Sequence, residues 1–293
     1  MFRTRAYGKW ILAGEHSVLR GTPAIVFPLF SRWLEFDFMP KAGSELQLEI
    51  EEGFGDEFRL LFWSVFQKAC QSLGVGPTHF HGQIRLRSNL QIGAGQGASA
   101  SLCIACARWF HAQNLITQSE IVPFARKMEN IFHGESSGVD VSVVQAEKPL
   151  HYERDGKMYP LEIKWQPKFY LSYSGKKGMT YECVQKVKNL LSTLPDVGQA
   201  LDEKMRVASL LCEQGLLSDE RDGFEMLKEG VDKAKACFNS WDLITPEMHQ
   251  LMETLNSAGA QACKPTGSGG GGFILSLWKE TPPANLTLIP CFV

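Results

Sequence analysis

A glycine-rich segment, GAGQGASAS at residues 93–101, is the feature of this sequence that most restricts how the chain can fold. It follows alternating apolar and polar residues at 79–86, which predict a strand, and precedes a pattern at 98–112 that predicts a helix. Glycines allow backbone N–H groups to approach a ligand, and a helix start adds the positive end of its dipole. The segment therefore predicts a phosphate cradle, with a tight strand-to-helix turn as the alternative. It is not a Walker A loop, because no Gly-Lys-Ser/Thr closes it.

A second glycine-rich segment lies in the other half of the chain. KPTGSGGGGF, residues 264–273, leads into the apolar stretch FILSLW, which predicts a strand. One such segment is weak evidence of a ligand site. Two of them, in different halves and accompanied by a lysine and two carboxylates, favour a ligand site over unrelated turns.

Charged residues occur in two further segments. Residues 7–24 carry Lys9, Glu15 and His16 around an apolar stretch and a glycine-rich turn, and residues 129–140 carry Glu129 and Asp140 at their ends. Taken singly, these residues suit ordinary roles: a solvated lysine, a hydrogen-bonded loop histidine and an aspartate that caps a helix. A hard cation such as Mg²⁺ takes carboxylate and hydroxyl oxygens, which Glu129 and a serine of the first glycine-rich segment, Ser99, would supply.

The composition limits the class of partner. Thirty basic and 32 acidic residues give a formal charge of −2, so no excess of charge indicates a nucleic acid or a membrane surface as the partner. No apolar stretch reaches the roughly 20 residues that a spanning helix needs, and we expect a cytoplasmic protein. The eight cysteines show no framework spacing, and we expect the Cys103–Cys106 pair to be packing residues.

The order of predicted elements indicates an α+β fold with two lobes. In the first half, residues 9–13 and 24–38 read as strands and 56–73 as a helix. A polar stretch with glycine and proline at 150–167 marks the candidate boundary. The second half reads as helix-rich, with helices predicted at 180–193, 199–215, 219–237 and 245–258.

Four segments, in this order along the chain, resemble the motifs of the GHMP kinases, and among these the mevalonate kinase family most closely. The motifs are Pro-Gly-Lys with Gly-Glu-His, then GAGLGSSA, HGNPSGVD and TGAGGGG. The matching residues are Gly8, Lys9, Gly14, Glu15, His16, Gly93, Ala94, Gly95, Gly97, Ser99, Ala100, His133, Gly134, Ser137, Gly138, Val139, Asp140, Thr266, Gly267, Gly269, Gly270, Gly271 and Gly272. The departures are Tyr7, Gln96, Ala98, Glu135, Ser136 and Ser268.

This resemblance spans residues 7–273, nearly the whole chain, and implies a two-lobed GHMP-kinase fold. The N-terminal lobe, residues 1–160, would be similar to ribosomal protein S5, and the C-terminal lobe, residues 161–293, would be a ferredoxin-like α/β lobe. The implied activity is transfer of phosphate from ATP to a small-molecule alcohol, with ATP and Mg²⁺ as cofactors. In the mevalonate kinases the product is 5-phosphomevalonate, for isoprenoid biosynthesis. The expected partners are the alcohol and ATP, and a homodimer is one alternative for the assembly.

The resemblance also implies residue roles. Asp140 would accept or orient the proton of the attacking hydroxyl with Lys9 beside it, and Ser99 and Glu129 would hold Mg²⁺. The residues expected to contact the alcohol are Glu15, His16 and Thr180. The residues expected to bind the nucleotide are Gly93, Ala94, Gly95, Gly97, Ala98, Ser99, Ala100, Gly267, Ser268 and Gly269.

Two alternatives remain open. Gly178 stands two residues before Thr180, in a region where the family often has an arginine, which favours another GHMP kinase, for phosphomevalonate or a related acid or sugar. The other alternative is a paralogue that binds a ligand without catalysis. Four residues argue against it, because a non-catalytic descendant has no reason to keep them all: Lys9, Ser99, Glu129 and Asp140.

Overall fold

The computed structural model describes residues 1–51, 55–133, 136–154 and 156–292, and the chain forms two compact units. The first unit comprises residues 1–8, 32–92 and 97–146, and the second comprises residues 9–31, 93–96 and 147–293. Strands β1 (Phe2–Ala13) and β2 (Ala24–Pro40) each begin in one unit and end in the other. The division into domains at residue 160 stays a prediction, since compact units need not coincide with family domains.

The first unit combines strands with four helices. The second half of β2 pairs antiparallel with β4 (Gly82–Ser88), and β4 pairs parallel with β3 (Gln47–Ile50). The helices are α1 (Gly55–Leu73), α2 (Ala98–Ala112), α3 (Ile121–His133) and α4 (Val139–Ala146). Helix α2 packs against the other three.

Aromatic side chains fill the core of the first unit. Phe58, Phe62 and Phe66 lie on one face of α1 and are buried, as the helical spacing of apolar residues predicts. The Trp109 ring of α2 is fully buried, with its centroid 5.9 Å from that of Phe66 and 4.8 Å from that of Phe80. Residues of α3 and α4 belong to the same core, which therefore fixes the helices that carry Ser99, Glu129 and Asp140.

The second unit contains a four-stranded antiparallel sheet. Its order is β10 (Ile289–Pro290), β7 (Lys168–Tyr173), β9 (Phe273–Trp278) and β8 (Ala262–Thr266). The first half of β2 pairs with β5 (Leu150–Tyr152), which pairs with β6 (Met158–Pro160). The helices are α5 (Thr180–Thr193), α6 (Pro195–Leu217), α7 (Glu220–Ser240) and α8 (Pro246–Ser257).

The α+β class is confirmed, and so are most of the predicted elements. Helices 98–112 and 180–193 have the predicted bounds. The first strand was predicted too short, since β1 begins at Phe2, where alternating charged residues obscure the apolar pattern. All eight cysteines are free and buried, in agreement with a packing role for Cys103 and Cys106. Across the described ranges, no helix is long and apolar enough to cross a membrane.

Candidate functional site

The residues predicted to form the site fall into two groups, one in each unit. The first unit contains residues 97–100, Glu129 and Asp140. The second unit contains Lys9, Glu15, His16, residues 93–96, Thr180 and residues 267–269. Each group is described within its own unit.

In the first unit, two predicted site residues lie at helix starts. Helix α2 begins after Gly97, which has a φ of 81° and provides no side-chain cap for the first-turn N–H groups. Ser99 lies in that first turn, and Asp140 lies in the first turn of α4. An uncapped helix start offers N–H donors and a positive dipole end, so the start of α2 suits a phosphate group.

Glu129 lies in α3 and is only 1% exposed. Its Oε2 atom accepts a hydrogen bond from the Ser136 hydroxyl, which in turn accepts one from the Gly138 N–H at 3.0 Å. The Ser136 N–H donates to the Asn130 side-chain oxygen at 2.7 Å. The sequence interpretation did not predict that Ser136 holds Glu129, because it treated Ser136 only as a turn residue that differs from the family motif. Gly134 and Glu135 of the same segment lie outside the described residues.

The charge of Glu129 also affects the pKa of Cys103, a residue on the face of α2 that carries Ser99. Ser99 and Cys103 are one helical turn apart and therefore on the same face. Burial raises the pKa of the Cys103 thiol, and the charge of Glu129 raises it further. A buried carboxylate and a hydroxyl on packed helices are the oxygen donors that Mg²⁺ takes, so these residues fit the implied metal.

In the second unit, β1 holds both glycine-rich segments. The Lys9 N–H donates to the Gln96 oxygen at 2.9 Å, and the Ile11 N–H donates to the Thr266 hydroxyl at 3.1 Å. Gly95, with a φ of 83°, approaches Thr266 so closely that a Cβ there would lie 3.1 Å from the Thr266 oxygen. The two segments are therefore in contact through their backbones, and glycine permits that approach.

A third loop packs against both segments. The Gly178 N–H donates to the Gly93 oxygen at 3.0 Å, and the Gly272 N–H donates to the Lys176 oxygen at 2.7 Å. A Cβ on Gly178 would lie 2.7 Å from the Gly269 oxygen, closer than side-chain carbons approach backbone oxygens in proteins. Glycine at position 178 is thus a packing requirement of this chain.

Two of the three residues predicted to contact the alcohol, His16 and Thr180, meet at Ser268. The His16 ring donates from Nε2 to the Ser268 backbone oxygen at 2.9 Å. The hydroxyl of Thr180 lies 3.3 Å from that of Ser268. His16 is buried, has a φ of 59° and packs edge-on against Trp241, with 5.1 Å between the ring centroids. Since few residues other than glycine adopt positive φ, the His16 backbone is held in this conformation by its surroundings.

Burial lowers the pKa of His16 to about 4, although its bond to Ser268 opposes the shift. An unfolded histidine has a pKa of about 6.5, so between these values the unfolded chain binds a proton that the folded chain does not. Stability therefore falls as the pH falls, and we expect a loss of about 2 kcal/mol between pH 7 and pH 5 from this residue. Urea denaturation at both pH values measures it.

The His16→Asn variant is expected to lose less stability between pH 7 and pH 5 than the wild type. His249→Asn is the matched control, because the His249 side chain on α8 is 65% exposed. Its pH dependence should equal that of the wild type. An equal pH dependence for His16→Asn would contradict the burial of a neutral His16.

Lys264 is a buried residue of the second unit to which the sequence interpretation assigned no role. It lies in β8, where every residue is buried, and its ammonium donates to the Glu15 carboxylate. The sequence did contain a signal for this residue: Lys264 is a lysine in a short apolar stretch where the second glycine-rich segment begins.

Comparisons with known proteins agree with the α+β fold. Residues 61–146 match the family described as GHMP kinases N terminal domain. A mevalonate kinase of Thermococcus gammatolerans is 27% identical, with 97% of this chain and 91% of that protein covered. The structure of L. major mevalonate kinase in complex with R-mevalonate has a TM-score of 0.79 at 22% identity, covering 96% of this chain and 88% of that one. Streptococcus pneumoniae phosphomevalonate kinase has a TM-score of 0.72 at 15% identity, covering 96% and 93%.

The fold and the arrangement of the motifs thus define a small-molecule kinase. Residues 61–146 match the GHMP kinase N-terminal domain, and the chain is similar to mevalonate kinases over nearly its whole length.

Proposed function

We propose that this protein transfers the γ-phosphate of ATP to the primary hydroxyl of mevalonate, giving 5-phosphomevalonate and ADP. The observation that carries the proposal is the meeting of His16 and Thr180 at Ser268, in the second glycine-rich segment, which approaches Gly95 of the first segment at Thr266 and Gly267. The similarity to a mevalonate kinase over 97% of the chain supports the choice of substrate.

The chain's own groups supply positioning and charge, which are the main requirements of phosphoryl transfer. Backbone N–H groups at the start of α2 would bind phosphate oxygens, and Ser268 with its neighbouring glycines would enclose the nucleotide. Glu15, His16 and Thr180 would hold the alcohol. Mg²⁺, when bound by Ser99 and Glu129, neutralises charge on the phosphate oxygens.

Asp140 is the proposed residue for the hydroxyl proton. An ordinary aspartate has a pKa of about 4 and is a weak base towards an alcohol. We therefore propose that Asp140 first orients the hydroxyl and takes its proton late, when the bond to phosphorus is forming. Lys9 would supply positive charge to the transferring group.

A coupled assay of ADP release across mevalonate, phosphomevalonate, homoserine and galactose tests the proposal. We expect turnover with mevalonate, and phosphorus NMR should show a monoester on the primary hydroxyl. Turnover of another substrate with background ADP release for mevalonate would refute the assignment but keep the kinase class. Background release with all four, at high enzyme concentration, would favour the non-catalytic alternative.

Removal of a proposed metal ligand is expected to raise the Mg²⁺ concentration needed for half-maximal activity. Ser99→Ala removes an oxygen ligand and Glu129→Gln removes the charge of the carboxylate ligand, and added Mg²⁺ should partly restore both. Ser136→Ala removes the hydrogen bond that holds Glu129, and such changes weaken metal binding about 10- to 100-fold. Magnesium titrations of ADP release measure these effects.

Ser101→Ala is the matched control on the same helix, because the Ser101 hydroxyl donates to the Tyr7 backbone oxygen at 2.9 Å. Its magnesium requirement should equal that of the wild type. Full activity of Ser99→Ala and Glu129→Gln at limiting Mg²⁺ would mean that the metal is held elsewhere.

A further inference from the structure

Lys264 and Glu15 form an ion pair inside the second unit. Lys264 is 0% exposed and Glu15 is 2% exposed. The Lys264 ammonium donates to Glu15 Oε1 and, at 2.7 Å, to the Pro265 backbone oxygen. It also lies 5.2 Å from the centroid of the Phe238 ring, a cation–π contact. Lysine is rarely buried completely unless its charge is paired. These three contacts supply the partners that the buried ammonium of Lys264 needs.

Stability alone does not explain this pair. Burial raises the pKa of Glu15 and lowers the pKa of Lys264, and the contact between them opposes both shifts. Both groups have lost their hydration, which offsets much of their mutual attraction. Apolar residues of similar volume stabilise such positions at least as well. The pair therefore points to a role that needs charge at this place.

The pair lies where the proposed substrate residues meet. Glu15 directly precedes His16, and Lys264 lies four residues before Ser268, whose backbone oxygen accepts the His16 hydrogen bond. Lys9 acts on both members, since its positive charge lowers the pKa of Glu15 and that of Lys264. The charge of Glu15 therefore interacts with two buried ammonium groups, that of Lys264 by direct contact and that of Lys9 through its field.

One carboxylate oxygen of Glu15 lacks a hydrogen-bond donor among the described residues. Oε1 accepts from Lys264, whereas Oε2 is buried and has no hydrogen-bond partner among the described residues. Buried carboxylate oxygens are normally hydrogen-bonded, because leaving one unpaired loses its hydration without compensation. A hydroxyl group of the alcohol would supply the hydrogen-bond donor that Oε2 lacks.

We propose that Lys264 is a positioning residue of the substrate site: by holding Oε1 of Glu15, it orients Oε2 to accept a hydrogen bond from a hydroxyl group of the alcohol. Lys264 acts through Glu15 and does not touch the substrate. This inference rests on the proposed function, in which Glu15 contacts the alcohol.

The Lys264→Met variant tests the proposal. Calorimetric titration with mevalonate, without nucleotide, should show a Kd raised on the order of 10- to 100-fold, the effect of losing a hydrogen bond to a charged group. The KM for mevalonate should rise likewise, while the KM for ATP stays unchanged. The control is Lys186→Met in the same unit, which removes an exposed ion pair with Asp242 and should change neither value.

A double variant separates positioning from stability. Lys264→Met leaves the Glu15 charge buried and unpaired, which should lower the Tm by about 10 °C. Lys264→Met with Glu15→Gln removes both charges and should recover most of the Tm, yet mevalonate binding should remain weak. Recovery of binding together with the Tm would overturn the proposal, as would a wild-type Kd in Lys264→Met.

Failure of the proposed function gives a different result. If the wild type neither binds nor phosphorylates mevalonate but turns over another alcohol, the substrate assignment is wrong, and the same variants are titrated with that alcohol. Unchanged binding of that alcohol by Lys264→Met would overturn the positioning role itself.

Discussion

Replacement of Asp140 with asparagine is expected to lower kcat by about 10²- to 10⁴-fold, the usual range for loss of a general base. Asparagine keeps the shape of the side chain and removes its charge, so the Kd for nucleotide should hardly change. Stopped assays at high enzyme concentration measure kcat, and calorimetry measures the Kd. The prediction separates a role on the reacting hydroxyl from a role in nucleotide binding.

Asp196→Asn is the matched control for this variant. Asp196 is also an acidic residue in a first helical turn, that of α6, and it is exposed. Loss of such a charge removes a dipole interaction of typically about 0.3–1 kcal/mol and should leave kcat unchanged. If Asp140→Asn affects only stability, as Asp196→Asn would, Asp140 has no part in catalysis.

Lys9→Met is expected to lower kcat as well, because it removes a positive charge that would stabilise the transferring phosphoryl group. The resemblance implies that Lys9 and Asp140 act on the same step, and residues that act as a unit are not additive. The double variant should therefore be little slower than the slower single variant. Losses that multiply in full would show that the two residues act independently.

Introduction of the arginine that relatives often carry is expected to damage this chain rather than improve it. Any side chain at Gly178 would begin 2.7 Å from the Gly269 oxygen and must push the glycine-rich segment away. Displacement of binding groups by about 1 Å can reduce rates by about 10²-fold. We expect a loss of kcat/KM of that order for Gly178→Arg, measured with ATP and mevalonate in turn.

Lys177→Arg is the control for this change. It places an arginine one residue earlier, at an exposed position, and keeps the charge of the chain unchanged. Its activity should stay close to that of the wild type. An increase in activity for Gly178→Arg would show that the loop has room for a side chain, and the packing argument would be wrong.

The sequence predicted those parts of the fold in which local pattern and surroundings agree. Helix α2 has its predicted bounds because Gly97 precedes an unbroken apolar run that packs against three other helices. The short edge strand β3 escaped prediction, because Gln47–Ile50 pairs with only one neighbour and carries two exposed polar residues. Such a strand depends on its partner β4 more than on its own residues.

For the site, the sequence likewise predicted some residues and missed their partners. Motifs indicated Lys9, Glu15 and His16, because the family pattern attaches a role to each position. The partners of these residues were not predictable, since Lys264 lies 249 residues from Glu15 along the chain. The hydroxyl of Ser136 was likewise missed, because its bond to Glu129 joins residues seven positions apart that only the folded chain brings together. Side-chain partners of this kind follow from tertiary packing and leave no mark in local sequence.

The eight buried thiols allow local opening of this chain to be measured by their rates of alkylation. Burial raises the pKa of Cys70 to about 11 and that of Cys212 to about 12, and a thiol reacts mainly as its thiolate. An alkylating reagent therefore modifies each cysteine only in the fraction of time that its surroundings are open. Cys70 and Cys103 lie in the first unit, and Cys212 and Cys263 lie in the second. Mass spectrometry of timed alkylation would thus record how often each unit unfolds, without any added label.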